Sequence, residues 1–349
     1  MKKRWDIFCK VVDNFGDIGV CWRLAHQLTR EHGLHVRLFV DDLQVASKII
    51  PTININKNSQ LIDNIEIIYF ISADNPAEVV IEAFACGLPT TYQSQMVEQT
   101  VWVNLEYLSA EPWVADFHGG QSRVGKLTRH FYFPGFNENT GGLLRERDLI
   151  MRRDASIQTQ SESFNIALFC YDNAPLEALF QAVAGGVSKT SIYAPLAHSI
   201  QKIAPFFGKR SLCAGDVLTK NQLTLHVLPF LSQDEYDALL WRCDLNFVRG
   251  EDSWVRAIWA GKPFIWQPYL QSENTHIAKL NAFLDVLYRE NQSACEAHEY
   301  WSAGKWPESF WPTFLDNMPA IRAVAMQQSE KLSKQVDLAT KLVIFCNKF

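Results

Sequence analysis

A chain of 349 residues, 48% of them hydrophobic, is long enough for two ordinary domains that each bury their own core. Its formal net charge of −5 argues against a general nucleic-acid-binding surface, which needs clustered Lys and Arg. Apolar runs long enough to span a bilayer are missing, and Asp6, Lys10 and Asp13 interrupt the segment behind the basic start, so a cytoplasmic protein without a signal peptide is expected.

The first predicted element is a strand over Trp5–Val12, followed by the turn Asp13-Asn14-Phe15-Gly16-Asp17-Ile18-Gly19 and a helix over Ile18–His32. Ile18, Cys21, Trp22, Ala25 and Leu28 share one face of that helix, and Gly33 closes it as the residue past its end. Further strands are predicted at His35–Val40, Ile65–Phe70 and Glu78–Ala85. Strands alternating with helices imply parallel β-α-β units, with a ligand crevice at the strand C-terminal ends, where the Asp13–Asp17 turn lies. Thr91 to Arg147 reads as shaped, aromatic- and Gly-rich loops, and includes Glu106, Tyr107 and Glu111. The polar stretch Arg152–Ser163 is the predicted domain boundary.

A second alternation follows. Strands are predicted in FNIALFCY, TSIYAP, LTLHVLPF, DLNFVRG and PFIWQPY. Helices are predicted around Pro175–Val183 and in SQDEYDALLWRC, DSWVRAIWAG and SENTHIAKLNAFLDVLY. The expected division is residues 1–153, residues 163–326, and a last helix, roughly Gln327–Phe345, crossing back to the first domain. Cys9, Cys21, Cys86, Cys170, Cys213, Cys243, Cys295 and Cys346 are scattered, mostly within apolar runs, so reduced core thiols are expected and no metal site is implied.

The first turn carries two carboxylates where a dinucleotide-binding loop would carry glycines. Negative charge there repels an anion and suits a cation. Asp17 is equally an ordinary N-cap for the following helix and Asp13 an ordinary turn former. In the second half, Arg249-Gly250-Glu251-Asp252-Ser253 closes a strand and opens a helix, whose free N–H groups and dipole offer a phosphate seat beside Arg249. Gln271-Ser272-Glu273-Asn274-Thr275 repeats that strand-turn-helix pattern, with Glu273 available to sugar hydroxyls. Capping alone also explains Asp252, Ser253 and Ser272.

The stretches KVVDNFGDIGVCWRLA, NLEYLSAEPWV, FPGFNENTGGLLRE, LPFLSQDEYDALLWRCDLNFVRGEDSWVRA and AGKPFIWQPYLQSENTHIAKL span both halves. In that order they resemble the EarP family of bacterial protein-arginine rhamnosyltransferases, which modify translation elongation factor P. The resemblance implies a GT-B fold: two facing Rossmann-like α/β domains with an interdomain cleft, the first for the protein acceptor and the second for the nucleotide sugar. It implies inverting, metal-independent transfer of L-rhamnose from dTDP-β-L-rhamnose to one arginine. The family's two essential acids correspond to Asp13 and Asp17, with Asn14, Phe15 and Gly16 beside the acceptor. Its acidic residue after Tyr269-Leu270-Gln271 corresponds to Glu273, followed here by Asn274 where some relatives carry an acid. By fit to the general fold, Tyr193, Pro229 and Phe230 lie near the nucleobase and ribose.

Paired carboxylates suit a guanidinium, whose planar donor fork they bind by charge-assisted hydrogen bonds. Full proton transfer from arginine to an ordinary Asp is uphill by about 8 pKa units, or about 11 kcal/mol. Proton loss therefore has to accompany attack on the anomeric carbon. Asp17, at the helix entrance, is favoured as base, with Asp13 still open for that role. The alternatives are a GT-B enzyme with another acceptor, a nicotinamide-dependent oxidoreductase and a non-catalytic nucleotide-sugar-binding protein. The oxidoreductase lacks a G-x-G-x-x-G after its first strand, and the binding protein needs neither Asp13 nor Asp17.

Overall fold

Strand and helix periods alternate through a computed structural model that describes residues 3–12, 15–156, 162–270 and 275–349. The chain divides into two units, Met1–Arg147 with Ser333–Phe349, and Asp148–Leu332.

The first unit runs β1 (Arg4–Cys9), α1 (Gly16–His32), β2 (His35–Val40), α2 (Leu43–Ile49), β3 (Ser59–Ile62), β4 (Ile65–Tyr69) and β5 (Val79–Ala83). It continues with α3 (Thr90–Gln95), β6 (Val101–Leu105), α4 (Val114–Phe117), β7 (Gln121–Val124) and β8 (Leu127–Tyr132). Its sheet has the order β3-β4-β2-β1-β5-β6-β8-β7, parallel except for the antiparallel edge strands β3 and β7. Side chains alternate across β1: Trp5, Ile7 and Cys9 join the core that includes α1, while Phe8 joins Tyr92 and Met96 on the other. Burial on both faces is why the central strands read as unbroken apolar runs. Asp6 is the exception on β1. Directly opposite Arg37 in register, it pairs with that guanidinium through two bonds of 2.7 and 2.6 Å and also accepts from the Tyr92 hydroxyl and the Ala77 N–H.

The second unit runs α5 (Leu149–Ala155), β9 (Phe164–Leu168), α6 (Leu176–Ala184), β10 (Thr190–Pro195), α7 (His198–Gln201), β11 (Val217–Lys220) and β12 (Leu223–Leu228). Then come α8 (Gln233–Arg242), β13 (Leu245–Arg249), α9 (Asp252–Ala260), β14 (Phe264–Gln267), α10 (Thr275–Leu287), α11 (Gln292–Ser302), α12 (Phe310–Asp316) and α13 (Met318–Ser333). Its sheet has the order β11-β12-β10-β9-β13-β14, with only β11 antiparallel. Helices α8 and α9 are joined by the buried pair Asp237–Arg256, at 2.9 and 2.6 Å. Finally α14 (Leu338–Cys346) returns to the first unit, where Leu338, Ala339, Leu342 and Cys346 complete the α1-side core.

Several boundaries differ from the sequence expectation. Strand β1 stops at Cys9, because the next residues leave the ladder to build the turn. Strand β5 stops at Ala83, since Phe84 and Ala85 adopt left-handed φ values of 57° and 51°. The segment expected to be loops, Thr91–Arg147, contains three strands and most of α3. The domain division falls before α5 rather than at residue 153. The polar run Arg152-Arg153-Asp154 lies within that helix: Asp154 faces outward while Leu149 and Arg153 are buried, and Arg153 donates to the Trp259 carbonyl at 2.9 Å. The predicted last helix is two helices, α13 in the second unit and α14 in the first.

Candidate active site

The parallel topology brings the C-terminal ends of β1, β5 and β6 side by side, and the first candidate cluster forms there. Helix α1 starts at Gly16 with Phe15 as its cap residue, so Asp17 lies inside the first turn and is not the N-cap. Its side chain, 2% exposed, reaches back into the turn. One carboxylate oxygen accepts the Val12 N–H at 2.8 Å and the other accepts the Tyr107 hydroxyl at 3.3 Å. A carboxylate in the first turn also interacts favourably with the positive end of the helix dipole. Beneath it, the Cys9 thiol is held neutral, first by its hydrogen bond with Cys21, then by burial, with the Asp17 charge adding to the effect. Phe15 and Gly16 sit beside Asp17 in the chain and are partly exposed, whereas Asp13 and Asn14 lie outside the described residues.

In the second unit the ends of β12, β13 and β14 share one edge of the sheet. Arg249 ends β13, and its guanidinium lies 4.4 Å from the Phe169 ring centroid and 4.6 Å from that of Tyr171. Those rings orient the cation without neutralising it. Glu251 is the cap residue of α9, Asp252 its first residue, and Ser253 lies inside the helix, so Ser253 is not the N-cap. The Ser253 hydroxyl instead turns back, donating to the Arg249 carbonyl and accepting its N–H at 3.3 Å. Gly250, at φ 63°, allows this tight reversal, and its carbonyl accepts from the Trp266 indole at 2.8 Å. The Gln267 amide bridges the Tyr171 N–H at 2.8 Å and the Asn173 side chain at 3.1 Å, tying the loop after β9 to the end of β14.

Arg249, Gly250, Glu251, Asp252 and Ser253 therefore form one turn between β13 and α9. Pro229 and the 44%-exposed Phe230 follow β12 at the same edge. Tyr193 sits further back, within β10; its ring stacks on His226 at 4.6 Å, with the Arg242 guanidinium 4.9 Å from its centroid. Burial, and secondarily Arg242, lowers the His226 pKa, which keeps that imidazole neutral. Gln271, Ser272, Glu273 and Asn274 lie outside the described residues. Sequence reasoning missed Phe169, Tyr171 and Gln267, because nothing in a lone aromatic or amide signals that it will shelve a cation from a neighbouring strand. Among the described residues, no group of three or more His, Cys, Asp and Glu side chains is placed to hold a metal ion, and no helix is long and apolar enough to cross a membrane.

Two α/β units, each built on a mostly parallel sheet, put the chain among glycosyltransferases of the GT-B fold, as its likeness to solved structures shows. The structure of glycosyltransferase VinC in complex with dTDP, 12% identical, matches 99% of the chain and 100% of its own length at a TM-score of 0.56, a likeness of fold alone. The family described as Elongation-Factor P (EF-P) rhamnosyltransferase EarP matches residues 5–347, and the chain belongs to it. A protein-arginine rhamnosyltransferase of Pseudomonas aeruginosa is 41% identical, with 98% of each chain covered. The structure described as the basis of EarP-mediated arginine glycosylation of translation elongation factor EF-P is 31% identical, covers 99% of both chains and has a TM-score of 0.69.

Proposed function

We propose that this protein transfers L-rhamnose from dTDP-β-L-rhamnose to an arginine side chain of translation elongation factor P in the cytoplasm, with inversion at the anomeric carbon. The observation that carries this is the Asp17 carboxylate, buried and anchored at the sheet edge of a chain of this family. A guanidinium offers donors and no acceptor, and an ionised carboxylate is its complement. A guanidino nitrogen attacks C1 as the bond from C1 to the phosphate oxygen breaks. The electron pair leaves with dTDP, and the proton shed by the nitrogen passes to a carboxylate. We assign that role to Asp17, with Asp13 orienting the guanidinium beside Asn14, Phe15 and Gly16.

The donor belongs to the second unit in this reading. Arg249 and the first-turn N–H groups of α9 take the diphosphate charge, which makes a metal unnecessary. Glu251 and Asp252, as acceptors, suit sugar hydroxyls better than phosphate, and Glu273 is assigned the same task. Pro229 and Phe230 are assigned to the nucleoside, and Tyr193 backs them from the neighbouring strand. Incubating the protein with elongation factor P and dTDP-rhamnose should add one deoxyhexosyl mass to the intact factor, at an arginine. An unmodified factor rejects the proposal. Excess EDTA should leave the rate unchanged, and a rate that collapses and returns with Mg²⁺ refutes the metal-free account of the leaving group.

A further inference from the structure

Beside Asp17, the chain spends unusual backbone geometry on a single ring. Phe84 and Ala85, directly after β5, both sit in the left-handed region, at φ 57° and 51°, and Gly87 follows at 75°. Residues with a side chain adopt that region reluctantly, and two in succession persist only where the surroundings over-determine them. Here they do. The Phe84 N–H donates to the Leu105 carbonyl at 2.7 Å and the Cys86 N–H to Ala83 at 3.1 Å. The Ala85 N–H donates to the Asn104 side-chain oxygen at 3.1 Å, and the Gly87 N–H to the Glu82 carboxylate at 2.8 Å. Asn104 and Glu82 are 1% and 2% exposed, so two buried polar side chains help to hold this turn.

The turn lays the Phe84 ring flat against Tyr107, with centroids 4.3 Å apart and planes 14° from parallel. The Tyr107 hydroxyl in turn reaches the Asp17 carboxylate. From these contacts we infer that Tyr107 is a positioning residue for Asp17, and that the strained Phe84–Ala85 turn exists to fix its ring. This rests on the proposed role of Asp17. Three segments, the ends of β1, β5 and β6, thereby fix one carboxylate: the Val12 N–H holds one oxygen and the Tyr107 hydroxyl aims the other.

The consequence is chemical as well as geometric. A hydroxyl donating to one carboxylate oxygen fixes the direction of that oxygen's remaining lone pair, which is what a positioned proton acceptor needs.

Tyr107→Phe deletes the hydroxyl and keeps the stacked ring. Its kcat should fall by ~10-fold or more, the scale of one hydrogen bond to a charged group. KM for the donor and the Tm should stay near wild type. Phe84→Leu, which keeps apolar bulk but not the stack, should lower kcat by less. A Tyr107→Phe enzyme with wild-type kcat overturns the inference, and so does a rate loss that tracks a lowered Tm or a raised donor KM. Asp17→Asn separates the two levels. Full activity in Asp17→Asn rejects the role of Asp17 itself, whereas an inactive Asp17→Asn beside an unaffected Tyr107→Phe rejects the positioning role alone.

Discussion

The turn after β1 and the turn after β13 have the same local design and opposite electrostatics. Each ends a central parallel strand and opens a helix, and in each a polar side chain of the first helical turn folds back onto the strand end: Asp17 onto the Val12 N–H, Ser253 onto Arg249. In the first the anchoring group is itself a carboxylate, so the free positive end of α1 is already answered by a negative charge. In the second the anchor is a neutral hydroxyl, and the charge at the strand end is the cation of Arg249 on its aromatic shelf. One backbone solution thus presents a negative charge in one unit and a positive charge in the other. Side chains at equivalent places decide which.

The most direct way to break that contrast is to neutralise each turn. Asp17→Asn should lower turnover by ~10²- to 10⁴-fold, the range for removing a general base, while calorimetric donor affinity stays near wild type. Arg249→Ala should do the converse and weaken dTDP-rhamnose binding by ~10- to 100-fold, as loss of a charge-assisted contact does. Donor affinity lost in Asp17→Asn and kept in Arg249→Ala would reverse the assignment of the two units.

A second comparison concerns the buried ion pairs. Asp6→Ala removes the carboxylate partner of Arg37 in the first unit, and Asp237→Ala that of Arg256 in the second. Each should destabilise its own unit by about 3–5 kcal/mol, read as a lowered urea midpoint. Because Arg256 holds α9 to α8, only Asp237→Ala should also reduce donor affinity. Equal donor affinity in the two variants argues that the pair does nothing for the Arg249 turn.

Acid should act on both units and is the gentlest probe. Burial, the largest cause in each case, lowers His118 in the first unit and His298 in the second to a pKa of about 4. Both are neutral when folded, while an unfolded histidine titrates near ~6.5. Their stabilising contribution is therefore complete above ~6.5 and is lost as pH falls toward 4, by up to about 3 kcal/mol for His298. His298→Leu should flatten the fall in urea midpoint between pH 7.5 and pH 5. An unchanged slope would mean that His298 is protonated in the folded state.

Where burial is two-sided and periodic, the sequence was sufficient: His35–Val40 and Thr190–Pro195 are strands with the predicted bounds. The edge strands β3, β7 and β11 escaped, because they are short and half-exposed and carry no strong pattern. Of the site, the charges were legible and their orientation was not. Asp17 and Ser253 look like N-caps to any rule that counts residue types at helix starts, yet both act from within the first turn. The Phe84–Ala85 turn was hidden altogether, since Glu78–Ala85 reads as a continuous strand and a left-handed phenylalanine has no signature in composition.

The return of α14 has a consequence for how the protein is made. Gln27 on α1 donates to both the Arg145 carbonyl, at 2.7 Å, and the Asp337 carboxylate, at 2.9 Å, so the first unit is sealed by residues synthesised after the whole of the second. During translation the α1 side of that sheet waits with an uncovered apolar stripe while more than half of the chain is still to come. The first unit, encoded first, is thus completed last, and a premature stop within the final helix should destabilise that unit while sparing its neighbour.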